Sequence, residues 1–190
     1  MSGSKELLNE ILSILYTVKE DKEKLKLIHE FMVDYILEEP QKHEIPQKYK
    51  PLVSKIAEEL LADMVCFVNG DTLEIESAPQ ALIKDPFEYE FTTGDTAEDW
   101  DLKHENWENC ITVEPMESFE SFSIMERFTN EVDDLSFRKK LSKALQRKKP
   151  FSNFKYLIES SDYRQQWFDF LQAETEEYVY TVLYPELEQD

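Results

Sequence analysis

Histidine and cysteine are the residue types in this chain that could form a catalytic pair. The histidines are His29, His43 and His104, and the cysteines are Cys66 and Cys110. A nucleophilic thiol needs an imidazole within hydrogen-bond reach, and such a pair would have to be assembled here across the fold. No Cys-x-x-Cys or His-Glu-x-x-His spacing occurs, so no pattern for a zinc site is present. Both cysteines lie in predicted strands, where a free thiol usually packs as a small apolar group, and we expect no disulfide.

The glycines exclude the common nucleotide-binding loops. The chain has three, Gly3, Gly70 and Gly94, and neither G-x-x-x-x-G-K-S/T nor G-x-G-x-x-G is present. Those loops need glycine because the backbone must approach a phosphate closely. The G-x-S-x-G turn of serine hydrolases is also absent. We therefore expect no cofactor, and an enzyme would need a site assembled without a known motif.

An acidic stretch, GDTAEDWDLKHE, raises the question of a bound cation. Its carboxylates are Asp95, Glu98, Asp99, Asp101 and Glu105. Clustered carboxylates suit Ca²⁺ or Mg²⁺, but this spacing lacks the central glycine and the final glutamate of an EF-hand loop. The alternative, which we favour, is a solvated segment held by two hydrophobic anchors, Trp100 and Trp107.

Basic residues are concentrated in one short run. Residues 138–149 hold seven of the 21 Lys and Arg residues and no acid, whereas residues 70–120 have 15 acids against two lysines. The net charge of −20 opposes nonspecific attraction to nucleic acid and to anionic membranes. The basic run is either a solvated helix face, whose last cations complement the helix dipole, or a patch for phosphate or an acidic partner. The acidic stretch could itself dock on this patch, within one chain or between two.

Aromatic residues follow the basic run directly, with seven of them among the 21 residues 150–170. Their spacing fits helix faces, so most should belong to the core. An aromatic residue left exposed, Trp167 or Phe168, would serve as an interface anchor. The candidate interaction residues are therefore Arg138, Lys139, Lys140, Lys143, Arg147, Lys148, Lys149, Lys155, Arg164, Trp167 and Phe168.

The elements that must position these residues are mostly helices. Apolar residues at helical spacing predict a helix over 4–18, a second from Leu25 to Ile36 with Asp21 as its cap, and a third over 51–62. The first two form a helical hairpin. From residue 118 to near Leu183 the pattern is helical again, with Pro185 as a stop.

The strand signals lie between these helical regions. Residues 64–68 form an apolar run and residues 73–77 alternate, with Asn69 and Gly70 between them, which predicts a tight hairpin. Residues 110–114 predict a third strand. Residues 78–109 are acidic and poorly periodic, so we interpret them as a long insertion in which a short helix could form near 98–107.

These elements predict an α+β fold that is mostly helical, with an N-terminal helical hairpin, a small antiparallel sheet and a C-terminal helical bundle. We expect a helical N-terminal segment over 1–63 and an α+β domain over 64–190, packed as a single unit. The N-terminal stretch lacks the basic region and cleavage site of a signal peptide. No apolar run reaches the roughly 18 residues of a membrane span. We therefore expect a cytoplasmic protein without membrane contact.

Several of these segments resemble uncharacterised protein family 0158, a bacterial group without an assigned activity. The likeness rests on I-M-E-R-F (124–128), on A-L (144–145) leading to P-F-x-x-F-K (150–155), on W-F-x-F (167–170), and on the strand–turn–strand MVCFVNGDTLEIES before the acidic stretch. It covers roughly residues 64–183. Relatives have an arginine between the two phenylalanines of the P-F-x-x-F-K segment, and this chain has none there. The resemblance implies a bacterial, cytoplasmic α+β protein and no particular reaction.

Three functional hypotheses remain open. The first is a non-enzymatic module that uses its C-terminal helices and acidic insertion to contact a protein partner, including a second copy of itself. The second is nucleic-acid binding through the basic helix over 138–149, which predicts a steep loss of affinity with salt. The third is an enzyme with a motif-free site, which predicts a pocket holding titratable groups with shifted pKa values.

Overall fold

The computed structural model describes residues 2–35 and 44–187. The chain divides into two compact units, Met1–Lys42 and His43–Asp190. The first unit contains helices α1 (Ser2–Thr17) and α2 (Lys22–Tyr35). Asp21 caps α2, because its carboxylate accepts a hydrogen bond from the Lys24 backbone N–H at 3.1 Å. Both predicted helices are confirmed, while Ile36, Pro40 and His43 lie outside the described residues.

The second unit contains the sheet and the remaining helices. Its strands are β1 (Met64–Asn69), β2 (Ile75–Pro79) and β3 (Cys110–Val113). Its helices are α3 (Lys50–Leu61), α4 (Gln80–Lys84), α5 (Pro86–Thr93), α6 (Ser118–Glu131), α7 (Leu135–Leu145), α8 (Pro150–Glu159) and α9 (Arg164–Leu187). Two short 3₁₀ helices, Ala97–Trp100 and His104–Asn106, precede β3. The predicted α+β class, mostly helical with a small antiparallel sheet, is confirmed.

The sheet has the order β2-β1-β3, and both neighbours are antiparallel to β1. Strand β2 ends beside Met64, because Pro79 pairs with that residue. Strand β3 begins at the other end of β1, where Cys110 pairs with Asn69. Residues 80–109, which we call the crossover segment, therefore carry the chain from one end of the sheet to the other and from one edge to the opposite edge.

Each face of the sheet is covered by different elements. On one face, β1 and β3 residues such as Cys66 and Val113 pack with α3 and α9, which contribute Ile56 and Leu183 among others. On the other face, β1 packs against the crossover segment through a smaller cluster of buried residues, Val65, Phe67, Ala78 and Leu82, with Tyr89, Trp100, Leu102 and Trp107 partly buried against it. The sheet is thus the middle layer of three.

A separate core joins the C-terminal helices. Its buried residues come from α6, α7 and α8 and from the residue after α6, and they are Met125, Phe128, Val132, Leu141, Leu145, Phe154 and Ile158. Helix α9 adds Trp167 and Phe170 to this core from its first turns. The predicted C-terminal bundle is therefore built around aromatic packing, and α9 contributes to this core and to the sheet layer.

The turn between β1 and β2 is longer than predicted. The Asn69 side-chain oxygen accepts hydrogen bonds from the backbone N–H groups of Asp71 and Thr72, both at 3.0 Å, and Leu73 adopts a positive φ of 60°. This side-chain turn uses extra residues, so β2 begins at Ile75 rather than at residue 73. Gly70 is needed here for close approach, because an added Cβ would collide with the side chain of Asn109.

Two further expectations are wrong. The stretch before residue 98 is not without helices, because α4 and α5 form there: Asp85 caps α5, Pro86 opens it and Gly94 ends it with a φ of 84°. Pro185 does not stop the last helix, which continues to Leu187. Leu183 and Leu187 both pack against the sheet core, and the Tyr49 hydroxyl donates to the Leu187 carbonyl at 3.2 Å, so tertiary contacts hold the final turn.

Candidate interaction surface

Helix α7 carries the first part of the predicted basic run, with Lys139, Lys140 and Lys143 exposed to solvent. The helix ends at Leu145, so the predicted basic helix over 138–149 was too long, and Arg147, Lys148 and Lys149 follow it. The Asp134 carboxylate caps its first turn by accepting hydrogen bonds from Ser136 N–H (2.7 Å) and Phe137 N–H (3.2 Å). Its inward face is apolar, with Leu141, Ala144 and Leu145 buried. The lysines between these positions must therefore point away from the core. Leu135, at the start of the helix, is 65% exposed.

A groove of about 330 Å³ runs between α7 and α8. Lys140, Lys143 and Arg147 line it on the α7 side, and Asn153 and Tyr156 line it on the α8 side. Ala144 and Leu157 complete the lining and are buried or half-buried, so they form an apolar floor. The groove therefore combines an apolar floor with a cationic rim, and Tyr156 on the other rim is 74% exposed.

The three cations of the groove form no ion pair with the carboxylates that the structure describes. Within residues 2–35 and 44–187, none of the ion pairs includes Lys140, Lys143 or Arg147. The Asn153 side chain is held in place, because its amide donates to the Lys148 carbonyl at 2.9 Å. An acidic ligand would meet three available cations and an ordered amide in this groove.

The other predicted basic positions are distributed around the groove. Arg138 is occupied structurally, because its Nε donates to the Val132 carbonyl at 2.8 Å and its side chain is half-buried. Lys139 is exposed but does not line the groove, and Lys155 lies 3.9 Å from the Glu159 carboxylate. The remaining exposed cations are in the loop before α8 and at the start of α9: Lys148, Lys149 and Arg164. The structure thus brings together three of the predicted cations.

The two aromatic candidates have different environments. The Trp167 ring packs 5.1 Å from the Phe128 ring and 4.9 Å from the Phe154 ring, measured between centroids, so it is a core residue. Phe168 is 40% exposed, and the Arg164 guanidinium lies over its ring at 4.7 Å. Of the two, Phe168 is the more exposed.

Helix α5 carries an exposed aromatic pair that the sequence reading did not single out. Phe87 and Phe91 are 81% and 85% exposed, and they are four residues apart, so they share one helix face. At about 100° per residue, Glu88 and Glu90 flank this face on its two sides. Tyr89 points the opposite way, into the core beneath the crossover segment. The capping pattern Asp85-Pro86 with Gly94 eight residues later could have located this helix.

The region that contains the α7–α8 groove matches a known protein family. Residues 95–185 match the model of the uncharacterised protein family UPF0158. The matched region contains β3, α6 to α8 and most of α9, and hence the whole groove. The β1–β2 turn and α5 lie outside it. No curated protein and no solved structure shows significant similarity to the chain.

A polar contact holds the start of the UPF0158 region against the sheet. The Glu76 carboxylate, on β2, accepts hydrogen bonds from the backbone N–H groups of Lys103 and His104, both at 2.8 Å. The His104 ring stacks on Phe67 with the centroids 3.5 Å apart, and its Nδ1 lies 3.4 Å from the same carboxylate. These contacts have a structural role, because they hold the second 3₁₀ helix against β1 through Phe67 and against β2 through Glu76.

Neither thiol is activated by its surroundings. Burial raises the pKa of Cys66 to about 12, with a further contribution from the Glu59 carboxylate. Burial, and then the charge of Glu76, also raise the pKa of Cys110 above its ordinary value. A reactive thiol needs the opposite shift. Both cysteines are free, Cys66 buried and Cys110 exposed.

Two carboxylates of the acidic stretch, Asp99 and Asp101, are engaged in local contacts. Asp99 accepts hydrogen bonds from the Thr96 backbone N–H (2.7 Å) and hydroxyl (2.8 Å), and these bonds lower the pKa of Asp99. Asp101 lies 3.8 Å from the Lys103 ammonium. In the part of the chain that the structure describes, no group of three or more His, Cys, Asp or Glu residues could hold a metal ion. None of the described helices combines the length and the apolar character that a membrane crossing requires.

Proposed function

We propose that this protein is a non-enzymatic protein-interaction module whose C-terminal helices bind an acidic segment of a partner protein. The observation that carries this proposal is the α7–α8 groove, in which Lys140, Lys143 and Arg147 stand around an apolar floor without a carboxylate partner among the described residues. An exposed, amphipathic Tyr156 on the opposite rim adds a side chain of the kind that concentrates binding energy at interfaces.

The charge distribution supports an acidic peptide over a purely apolar one. Three cations around one groove attract a carboxylate-rich segment and repel a basic one, which sets specificity and speeds encounter. The remaining surface of the protein is strongly acidic, with a net charge of −20 for the chain. An acidic partner segment is therefore attracted chiefly to the basic run that contains this groove, which favours a defined orientation of the complex.

Nucleic-acid binding is the second candidate, and the seven basic residues over 138–149 favour it. Two observations weigh against it. Arg138 is committed to the Val132 carbonyl, and Lys139 does not share the groove with the other cations. In addition, tracking a phosphate backbone requires an extended positive surface, whereas the acidic remainder of this chain repels one.

The experiment that separates these candidates measures two labelled probes by fluorescence anisotropy: an acidic peptide of alternating Glu and Phe, and a single-stranded oligonucleotide. We expect the peptide to bind, and the triple variant K140A/K143A/R147A to weaken that binding by about tenfold or more. The matched control K139A/K148A/K155A removes the same charge from exposed lysines that do not line the groove, and it should retain most of the affinity.

Two results would contradict the proposal. Equal loss of peptide binding in both triple variants would mean that the general field of the basic run is responsible, rather than the groove. Stronger binding of the oligonucleotide, with a steep dependence on salt and loss in both variants, would transfer the function to nucleic acid.

A further inference from the structure

We propose that the acidic segment received by the groove is helix α5 of a second copy of this chain, so that the protein associates with itself through two different surfaces. This inference rests on the proposed function, since it names the partner of the same groove. It joins two surfaces whose chemistry is complementary: an acid-flanked helix with two exposed phenylalanines, and a cationic groove with an apolar floor.

Helix α5 has the features of a segment that inserts into a groove. Its Phe87 and Phe91 side chains are exposed over most of their surface, although a phenylalanine gains free energy when it leaves water. Glu88 and Glu90 flank this aromatic face, and Tyr89 fixes the opposite face of the helix to the core. The aromatic pair is thus held outward by a helix that is itself anchored. Amphipathic helices bind grooves through apolar residues at this spacing.

The groove offers partners for the aromatic pair and for one of the two glutamates. Ala144 and Leu157 provide apolar surface at its floor, and the exposed ring of Tyr156 extends that surface along one rim. On the other rim Lys140, Lys143 and Arg147 can meet the flanking glutamate on their side of the helix, while the second glutamate faces the rim of Asn153 and Tyr156. Burial of apolar area and charge pairing can therefore act together in one contact.

A second copy must supply the helix. The groove is lined by residues of α7 and α8 and by Arg147, which lies between these helices. No residue of α5 contributes to it. Helix α5 is instead held to the crossover side of the sheet through Tyr89. Because the helix and the groove are different surfaces, the contact is head-to-tail, and each copy carries both halves.

The contact is expected to be weak. An eight-residue helix buries less than the roughly 1,600 Å² of a standard protein interface, and such small contacts are typically transient. The dissociation constant should therefore lie in the micromolar to millimolar range. Two copies, each with a net charge of −20, repel one another, and salt screens this repulsion, so association should be stronger at moderate salt than at very low salt.

The test is sedimentation velocity of the full chain up to millimolar concentration, with two complementary variants. The groove variant K140E/K143E/R147E keeps α5, and the helix variant F87S/F91S keeps the groove. We expect the wild-type chain to associate, and each variant alone to associate at least about tenfold more weakly. A mixture of the two variants should form a one-to-one complex, since one supplies the helix and the other supplies the groove. That recovery would also show that both variants are folded.

The control variant K139E/K148E/K155E has the same net charge as the groove variant and should associate like the wild-type chain. A wild-type chain that stays monomeric at millimolar concentration, or a mixture of variants that forms no complex, would overturn the inference. If the acidic peptide still bound the groove in either case, the proposed function would stand and only its assigned partner would be wrong. If neither the peptide nor a second copy bound, both would fail.

Discussion

The crossover segment and the C-terminal helices both place aromatic residues among charged ones, but they bury these residues to different extents. In the C-terminal helices the rings of Phe128, Phe154 and Trp167 form a packed core, and the cations stand outside it. In the crossover segment Trp100 and Trp107 are partly buried against the sheet, while Phe87 and Phe91 face solvent. Aromatic density in the sequence therefore does not locate a binding surface. The decisive property is whether neighbouring elements cover the helix face.

The largest difference between the two regions should appear when one ring is removed from each. Phe128→Ala should lower the free energy of unfolding by about 3–5 kcal/mol, because the ring is fully buried among three other rings. Phe87→Ala should change it by less than about 0.5 kcal/mol, because that side chain is exposed. Urea unfolding followed by circular dichroism measures both. Similar losses in the two variants would mean that α5 is covered within the chain.

A smaller loss of stability should follow when a side chain is added at Gly70, next to the end of the crossover segment. In Gly70→Ala the new Cβ collides with the side chain of Asn109, and we expect a loss of about 1–3 kcal/mol in the free energy of unfolding. The double variant Gly70→Ala with Asn109→Gly removes the obstructing side chain and should recover part of that loss in the same urea titration. No recovery would place the strain in the backbone of the turn instead.

The reactivity of the two cysteines should report how completely the helices cover the sheet. Cys66 faces α3 and α9, whereas Cys110 is exposed at the edge strand. In the variant Cys110→Ala, the remaining thiol of Cys66 should not react with a disulfide reagent at pH 8 in the folded protein, and in Cys66→Ala the thiol of Cys110 should react slowly. Fast labelling of Cys66 would show that the α3–α9 layer opens.

Ionisation of the Cys66 thiol should make the stability of the protein depend on pH. The pKa of Cys66 rises from 9.0 to about 12 on folding, so the unfolded chain loses this proton first. Below pH 9.0 the thiol is protonated in both states, so its ionisation should not affect stability. Between pH 9.0 and about 12 the thiol ionises in the unfolded chain only, which should progressively lower the free energy of unfolding. Comparison of the native chain with Cys66→Ala over this range isolates the contribution. A slope that is unchanged by the substitution would contradict the assignment.

Local patterns predicted much of the fold because local physics decides it. Apolar spacing located the long helices, and Asp21 was recognised as a cap. The exact turn after β1 was missed because the Asn69 side chain competes with a tight two-residue turn. The helical state of Pro185 was missed because contacts from distant Tyr49 and the sheet core decide it.

The candidate surface was predicted in its composition and not in its geometry. The sequence indicated a basic run beside an aromatic region, but it could not separate Arg138, which bonds to Val132, from Lys140 and Lys143, which line the groove. Nor could it show that the groove needs Asn153 and Tyr156 from a second helix. Those distinctions depend on how α7 and α8 pack, which no single helix pattern contains.

Helix α9 has a consequence for how the second unit unfolds. Its 24 residues span about 36 Å, and its first turns complete the C-terminal core while its last turns complete the sheet core. Neither core can lose this helix without exposing apolar surface, and a break in the middle of the helix would interrupt both. The two cores should therefore melt in one cooperative transition, with tertiary and secondary structure lost at the same temperature, even though they share few other residues.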